Sequence, residues 1–326
     1  MKYAIQSQFL AIPNLRFTRN LWRLRCFSFL VKLTRLFYKW DGALRVQKHT
    51  VTSTDGYRFK VIEISPKTLA AEAPALLYFH GGAFFLSYAA SHFDQAQMYA
   101  LQANCRVFIV DYRLSTKAAF PASFNDSYAA LQWLHSQAQT LQIDSQRIVV
   151  GGDSAGGCLA AVVTQKALDE SLKGGGAAVP LAGQMLVYPV TDCESKTPSA
   201  RQFVDTPVWR TEYNKLMWDV LLRDHGFNSA KKIDVDNLPA YASPIHRENL
   251  AGLPPAYIEA SEFDPLRDEA VNYAQALGAA GVDVSLKLVK GGVHAYDFID
   301  CDITKKYKKA RVNALIKFFE KEPMPD

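Results

Sequence analysis

Disulfide-grade cysteine content is missing from this 326-residue chain, and so is any long apolar run. The five cysteines (26, 105, 158, 193 and 301) are odd in number and scattered, with no Cys-x-x-Cys pair and no Cys/His metal spacing. That excludes a disulfide framework, leaves a structural or catalytic metal without support, and makes reduced thiols in a cytoplasmic compartment the expectation. In the basic, aromatic part of the N-terminal segment, from Arg16 to Trp40, the longest uncharged stretch, Cys26 to Val31, is six residues. A membrane span needs about 20 and a signal-peptide core about 7–15. Internal repeats and low-complexity tracts are also absent. What remains is 49% apolar and 21% charged, ordinary for a globular chain with a sizeable core, and long enough for one α/β domain plus a cap.

Acidic residues are missing from positions 1–40, which hold Lys2, Arg16, Arg19, Arg23, Arg25, Lys32, Arg35 and Lys39. Those eight are the whole of the +5 balance: of 37 basic residues 29 remain, against 32 acidic ones, a net of −3. The body of the chain therefore offers no basic surface for nucleic acid.

The richest stretch is Arg147-Ile-Val-Val-Gly-Gly-Asp-Ser-Ala-Gly-Gly157. A β-branched run ends in Gly152-Asp153-Ser154-Ala155-Gly156, and a helix-forming stretch follows at once. Strand, tight turn and helix place a serine at the apex, where flanking glycines remove clashing side chains and the helix N-terminus favours negative charge. A nucleophilic serine needs a base, a carboxylate to orient it, and donors for an oxyanion. His80-Gly-Gly-Ala-Phe84 follows the apolar strand ending at Phe79, Asp264 follows the strand ending at Ala260, and His294 follows the strand ending at Val289. Each candidate stands beyond the C-terminal end of a predicted strand, where open α/β sheets form their sites. The order is Ser, Asp, His.

Periodicity predicts an opening hairpin, Thr50–Thr54 and Tyr57–Ile64, joined by the two residues Asp55-Gly56. Strands over 76–79, 106–111, 147–151, 183–188, 255–260 and 285–289 then alternate with helices over 93–104, 123–141, 155–168, 268–279 and 303–319. Such alternation implies a mostly parallel sheet covered on both faces. Lys173 to Pro180 reads as a surface loop, and Asp192 to Leu238 as an insertion holding an aromatic helix.

From about Pro74 onward the chain resembles the bacterial hormone-sensitive-lipase-like esterases. The resemblance rests on His80-Gly-Gly, Asp111-Tyr-Arg-Leu114, Gly152-Asp-Ser-Ala-Gly156, Tyr188-Pro189, Ala242-Ser-Pro244, Asp264-Pro-Leu-Arg-Asp268 and His294. It implies an α/β-hydrolase fold with an eight-stranded, mostly parallel sheet and a helical cap, hydrolysing short- to medium-chain carboxylic esters without a cofactor. Ser154 is then nucleophile, His294 base and acid, and Asp264 the orienting carboxylate. Asp268 reads as a cap of its helix rather than the orienting acid, His80 as a buried strut, and Asp153 as a structural hydrogen bonder. His49, His92, His135, His225 and His246 read as surface or core residues. The backbone N–H groups of Gly82, Ala83 and Ala155 match the family's oxyanion donors, and Phe84, Tyr188, Trp209 and Trp218 are candidates for the pocket. Two departures stand near the site: Ala83 where the family has a third glycine, and His294-Ala-Tyr where it has His-Gly-Phe.

Residues 1–48 are expected to form N-terminal cap helices and 49–326 the catalytic domain, with the cap insertion at about 192–238. The basic, aromatic N-terminal segment has two readings that are compatible, a cap over the pocket and a helix lying on an anionic membrane. Family members commonly dimerise, so a homodimer stays open. The same triad also serves amidases and lactonases, and the same fold serves a catalytically silent receptor.

Overall fold

The computed structural model describes residues 2–12, 16–174 and 179–320; half of the expected 173–180 loop, residues 175–178, lies outside them. The strands follow from the apolar runs. β1 (Leu44–Thr52) and β2 (Arg58–Pro66) open the sheet, followed by β3 (Ala73–Phe79), β4 (Arg106–Asp111), β5 (Ile143–Asp153), β6 (Gly183–Val187), β7 (Ala256–Phe263) and β8 (Val284–Val293). Their order is β1-β2-β4-β3-β5-β6-β7-β8, antiparallel at the first two pairings and parallel from β4 to β8. The central strands are buried on both faces, as Ile148, Val149 and Val150 show, so they carry continuous apolar runs instead of alternation.

Eight α-helices cover the sheet among the described residues. The helices are α1 (Leu21–Leu33), α2 (Ala90–Gln102), α3 (Ala122–Ser136), α4 (Ala155–Leu172), α5 (Pro198–Gln202), α6 (Thr211–Leu221), α7 (Arg267–Ala279) and α8 (Asp302–Glu320). One core joins the sheet to α3, α4 and α7 and continues into α6; the other joins it to α2 and α8. No described helix is long and apolar enough to cross a membrane.

Two expectations are corrected here. The hairpin exists, but its link is Ser53 to Tyr57 rather than two residues: Ser53 N–H bonds the Tyr57 carbonyl at 2.8 Å, Gly56 N–H bonds the Ser53 carbonyl, and Gly56 takes φ +81°. The sheet also begins at Leu44, ahead of the expected boundary at 48/49. The polar alternation of Arg45, Gln47 and Lys48 on an edge strand hid its start.

The segment ahead of the sheet is not all roof. Gln6 N–H bonds the Gly291 carbonyl at 3.1 Å, and Phe9 is fully buried with its ring edge-on to Tyr296. The insertion between β6 and β7 is held at its root by two acids of α7. Glu269 accepts the N–H groups of Thr191 and Asp192, each at 2.7 Å. Asp268 accepts Ser199 N–H at 2.7 Å and pairs with Arg267. Asp268 thus fastens α5 to α7 instead of capping its own helix.

Candidate active site

Ser154 sits between the last residue of β5 and the first of α4, at φ 55°, ψ −119°. That is a conformation L-residues avoid, and the surrounding backbone fixes it. Ser154 N–H bonds the Val187 carbonyl at 2.9 Å, and its own carbonyl accepts Val190 N–H at 3.1 Å. The crowding explains the glycines. A Cβ on Gly152 would lie 2.5 Å from the Phe79 carbonyl oxygen, and one on Gly156 would lie 2.7 Å from that of His80.

Fold and sequence order bring three expected side chains together here. His294, one residue past β8, places Nε2 2.9 Å from Ser154 Oγ. Its Nδ1 is 2.7 Å from Asp264 Oδ2, and Asp264 Oδ1 accepts Leu266 N–H at 3.0 Å. Asp264 is fully buried, with His294 and Ser154 only 5% and 6% exposed. A buried carboxylate can only accept, so Nδ1 carries the proton and Nε2 is left to accept from the serine hydroxyl. Tyr188 packs edge-on to the imidazole at 4.9 Å, and Trp209 lies tilted against it at 5.7 Å with 33° between the ring planes. Behind Tyr188 lies a buried ionic cluster. Its hydroxyl donates to Asp297 (2.7 Å), and Arg311 bonds both Asp297 and Glu259.

The loop after β3 runs through three successive positive φ values, at Gly82 (+117°), Ala83 (+55°) and Phe84 (+59°). The alanine that replaces a glycine therefore does sit in the left-handed region, at a cost of about 1–2 kcal/mol. The loop is fixed by Leu86 N–H to the Gly82 carbonyl (2.8 Å) and Ser115 N–H to the Phe84 carbonyl (2.7 Å). The N–H groups of Gly82, Ala83 and Ala155 bond no described protein acceptor, and those of Gly82 and Ala83 belong to residues at the cavity wall beside Ser154.

Asp153 and the neighbouring histidines hold this loop against the nucleophile. Asp153 Oδ1 accepts Gly81 N–H (3.0 Å) and the Tyr78 hydroxyl (2.7 Å), while His92 Nε2 stands 3.5 Å from Oδ2. His92 Nδ1 accepts Ala89 N–H, so its Nε2 bears the proton facing Asp153. Burial alone would raise the Asp153 carboxyl, but the imidazole of His92 and the Tyr78 hydroxyl outweigh it and hold it at about 2. His80 is fully buried and stacked on Tyr112, and it donates from Nδ1 to the Gly81 carbonyl. Burial, aided by nearby His92, pushes its pKa down to about 3.

A cavity of about 170 Å³ opens onto Ser154 and His294. Tyr188 and Trp209 line it; Phe84 and Trp218 do not, because both are buried in the core, 6.4 Å apart ring to ring. Sequence reasoning missed Phe17, Phe27 and Val31, which close the cavity from the N-terminal segment, and His92 and Phe298 at its wall. A signal existed for two of the first three: Leu24, Phe27, Ser28 and Val31 recur at helical spacing and mark the inward face of α1.

The remaining histidines stand apart from the site. His49 bonds Glu63 (2.8 Å) and His225 the Phe120 carbonyl (3.0 Å). Among the described residues one group of metal-compatible donors is gathered, Asp192, Cys193 and His246, within 4.8 Å of one another. Burial pushes the Cys193 thiol up to about 12.

The α/β-hydrolase fold family matches residues 76–298. The chain is 38% identical to "Esterase LipI" of Mycobacterium tuberculosis over 226 residues, 69% of this chain and 66% of that protein, just under two thirds of its length. It is 37% identical to "Carboxylesterase NlhH" of the same species over 256 residues, 78% of this chain and 76% of that one. Among solved structures, "Bacterial Heroin Esterase" superposes with a TM-score of 0.88 at 31% identity, covering 98% of this chain and 99% of the other.

Proposed function

The chain belongs to the hormone-sensitive-lipase-like esterases of the α/β-hydrolase fold, a family of carboxylic ester hydrolases, and we propose that it cleaves short- to medium-chain acyl esters through an acyl-enzyme on Ser154. The observation that carries the reading is the pair of contacts on one imidazole, 2.9 Å to Ser154 Oγ and 2.7 Å to Asp264.

His294 Nε2 takes the hydroxyl proton as Oγ bonds to the ester carbon. The carbonyl electron pair moves onto oxygen, which settles among the N–H groups of Gly82, Ala83 and Ala155. Collapse breaks the bond to the alcohol oxygen, and His294 returns the proton to that leaving group. Water then enters, gives a proton to Nε2 and attacks the acyl carbon; collapse breaks the bond to Ser154 Oγ, which takes that proton back from His294 as the acid leaves, with Asp264 balancing the imidazolium each time. The cavity's roughly 170 Å³ lies below the roughly 300–1,000 Å³ of drug-sized pockets, which supports short acyl groups. Five unpaired cysteines support a reducing, cytoplasmic setting.

The test is hydrolysis of p-nitrophenyl esters across acyl lengths, without added metal. Ser154→Ala should lower kcat by about 10⁴-fold or more, and turnover should peak at short chains. A Ser154→Ala protein retaining near-full turnover ends the proposal.

A further inference from the structure

Helix α1 is apolar on two sides, and the protein covers one of them. At roughly 100° per residue, Leu24, Phe27, Ser28 and Val31 face inward. Leu24 and Ser28 are buried, and Phe27 and Val31 line the ester cavity. On the opposite side Trp22, Cys26, Phe29 and Leu33 fall in a stripe about 60° wide. Leu30 stands at its edge, and Leu36 and Phe37 extend it past the helix end. Exposure reaches 70% at Trp22, 59% at Phe29 and 89% at Phe37. A helix apolar all round is ordinarily covered all round, and large exposed apolar patches mark interaction surfaces.

Charge says what covers this one. Arg23 lies on one flank of the stripe and Lys32 on the other, with Arg16 and Lys39 beyond its ends. All four are exposed, and they form no ion pair among the described residues. The other arginines of the segment are committed inward: Arg19 to Asp219 (2.7 Å), Arg25 to the Thr116 carbonyl (3.0 Å), Arg35 over the Tyr88 ring. With no acid in residues 1–40, a two-fold contact with a second copy would set cation against cation.

We propose that this face docks on an anionic lipid bilayer. The aromatic and aliphatic side chains enter the headgroup boundary, about 5–10 Å deep, and Arg23 and Lys32 reach the anionic headgroups from either side. Because Phe27 and Val31 roof the cavity from the same helix, docking sets the cavity's roof against the lipid surface, from which apolar esters partition. The surface contact is independent of the serine chemistry, so the two readings fail separately.

The experiment floats the full-length Ser154→Ala protein with vesicles of phosphatidylcholine, alone or mixed with phosphatidylglycerol. Co-flotation is expected with the anionic vesicles at low salt, about tenfold weaker on neutral vesicles or in about 0.5 M salt. Trp22→Ser/Phe29→Ser/Phe37→Ser should abolish it, and Arg23→Glu/Lys32→Glu should weaken it to the neutral-vesicle level. In the Ser154 background both variants should hydrolyse p-nitrophenyl acetate within about twofold of wild type, since none of these residues lines the cavity; if the apolar variant fails to fold, the charge variant decides. Protein that stays unbound at low salt, or floats unchanged after the charge reversal, overturns the proposal. So does a dimer in sedimentation velocity that the apolar substitutions split into monomers, since the face then belongs to a second copy.

Discussion

The elbow around Ser154 and the loops that face it, at Ala83 and Ala295, meet the same constraint in opposite ways. Both use left-handed backbone, φ 55° at Ser154, Ala83 and Ala295 alike. The elbow surrounds its strained residue with glycines, whereas the facing loops put alanine at their left-handed positions. The difference lies in what a methyl group would meet. At Gly152 and Gly156 it would enter the carbonyls of Phe79 and His80, whereas the methyls of Ala83 and Ala295 are buried, 3% and 6% exposed, without displacing backbone. A glycine forced by close approach is irreplaceable; one favoured only by φ can be exchanged for about a kilocalorie.

The sharpest way to break this comparison is Gly156→Ala. It should cost about 4 kcal/mol or more, or leave no soluble protein, read by urea unfolding; a loss under about 1 kcal/mol would erase the distinction. Acid should separate the two regions next. His80, in the facing loop, has its pKa lowered by burial to about 3 from 6.5. A base depressed in the folded state contributes stability fully present above the unfolded value and lost as pH falls through the folded one. Stability should therefore decline by a few kcal/mol from about pH 6.5 toward 3. Asp153, held at about 2, extends the decline below about pH 4. Urea midpoints against pH should show this slope flattened between about pH 6 and 4 in His80→Asn; an unchanged slope refutes the assignment. The smallest effect belongs to Ala83→Gly and Ala295→Gly. Relief of strain, lost chain entropy and a lost buried methyl nearly cancel, so each should stay within about 1 kcal/mol of wild type by thermal unfolding.

Much of this is legible in the sequence. The sheet and its sequence order follow from apolar runs, because strands buried on both faces leave an unbroken signal. Ser154, Asp264 and His294 could be placed because each follows directly on a strand, so one-dimensional order fixes three-dimensional position. The cavity wall was less legible. Phe84 is aromatic and adjoins the donor loop, and Trp218 lies on the aromatic helix of the insertion, yet side-chain direction, set by the left-handed turn at 83–84 and by the packing of α6, sends both into the core. Helical spacing marks Phe27 as inward-facing, but which side chains of the N-terminal segment reach the cavity, Phe17 among them, is set by long-range contacts that no local pattern encodes. His92 reads as filler until α2 is seen to aim it at Asp153. The start of β1 was hidden because an exposed edge strand carries polar residues.

Asp153 carries no step of the proposed reaction, yet its carboxylate takes the N–H of Gly81 while its backbone leads into Ser154. The donor loop and the attacking hydroxyl are thereby two ends of one short brace. Thermal drift that displaces one end carries the other along, so the gap reserved for a tetrahedral oxygen keeps its width.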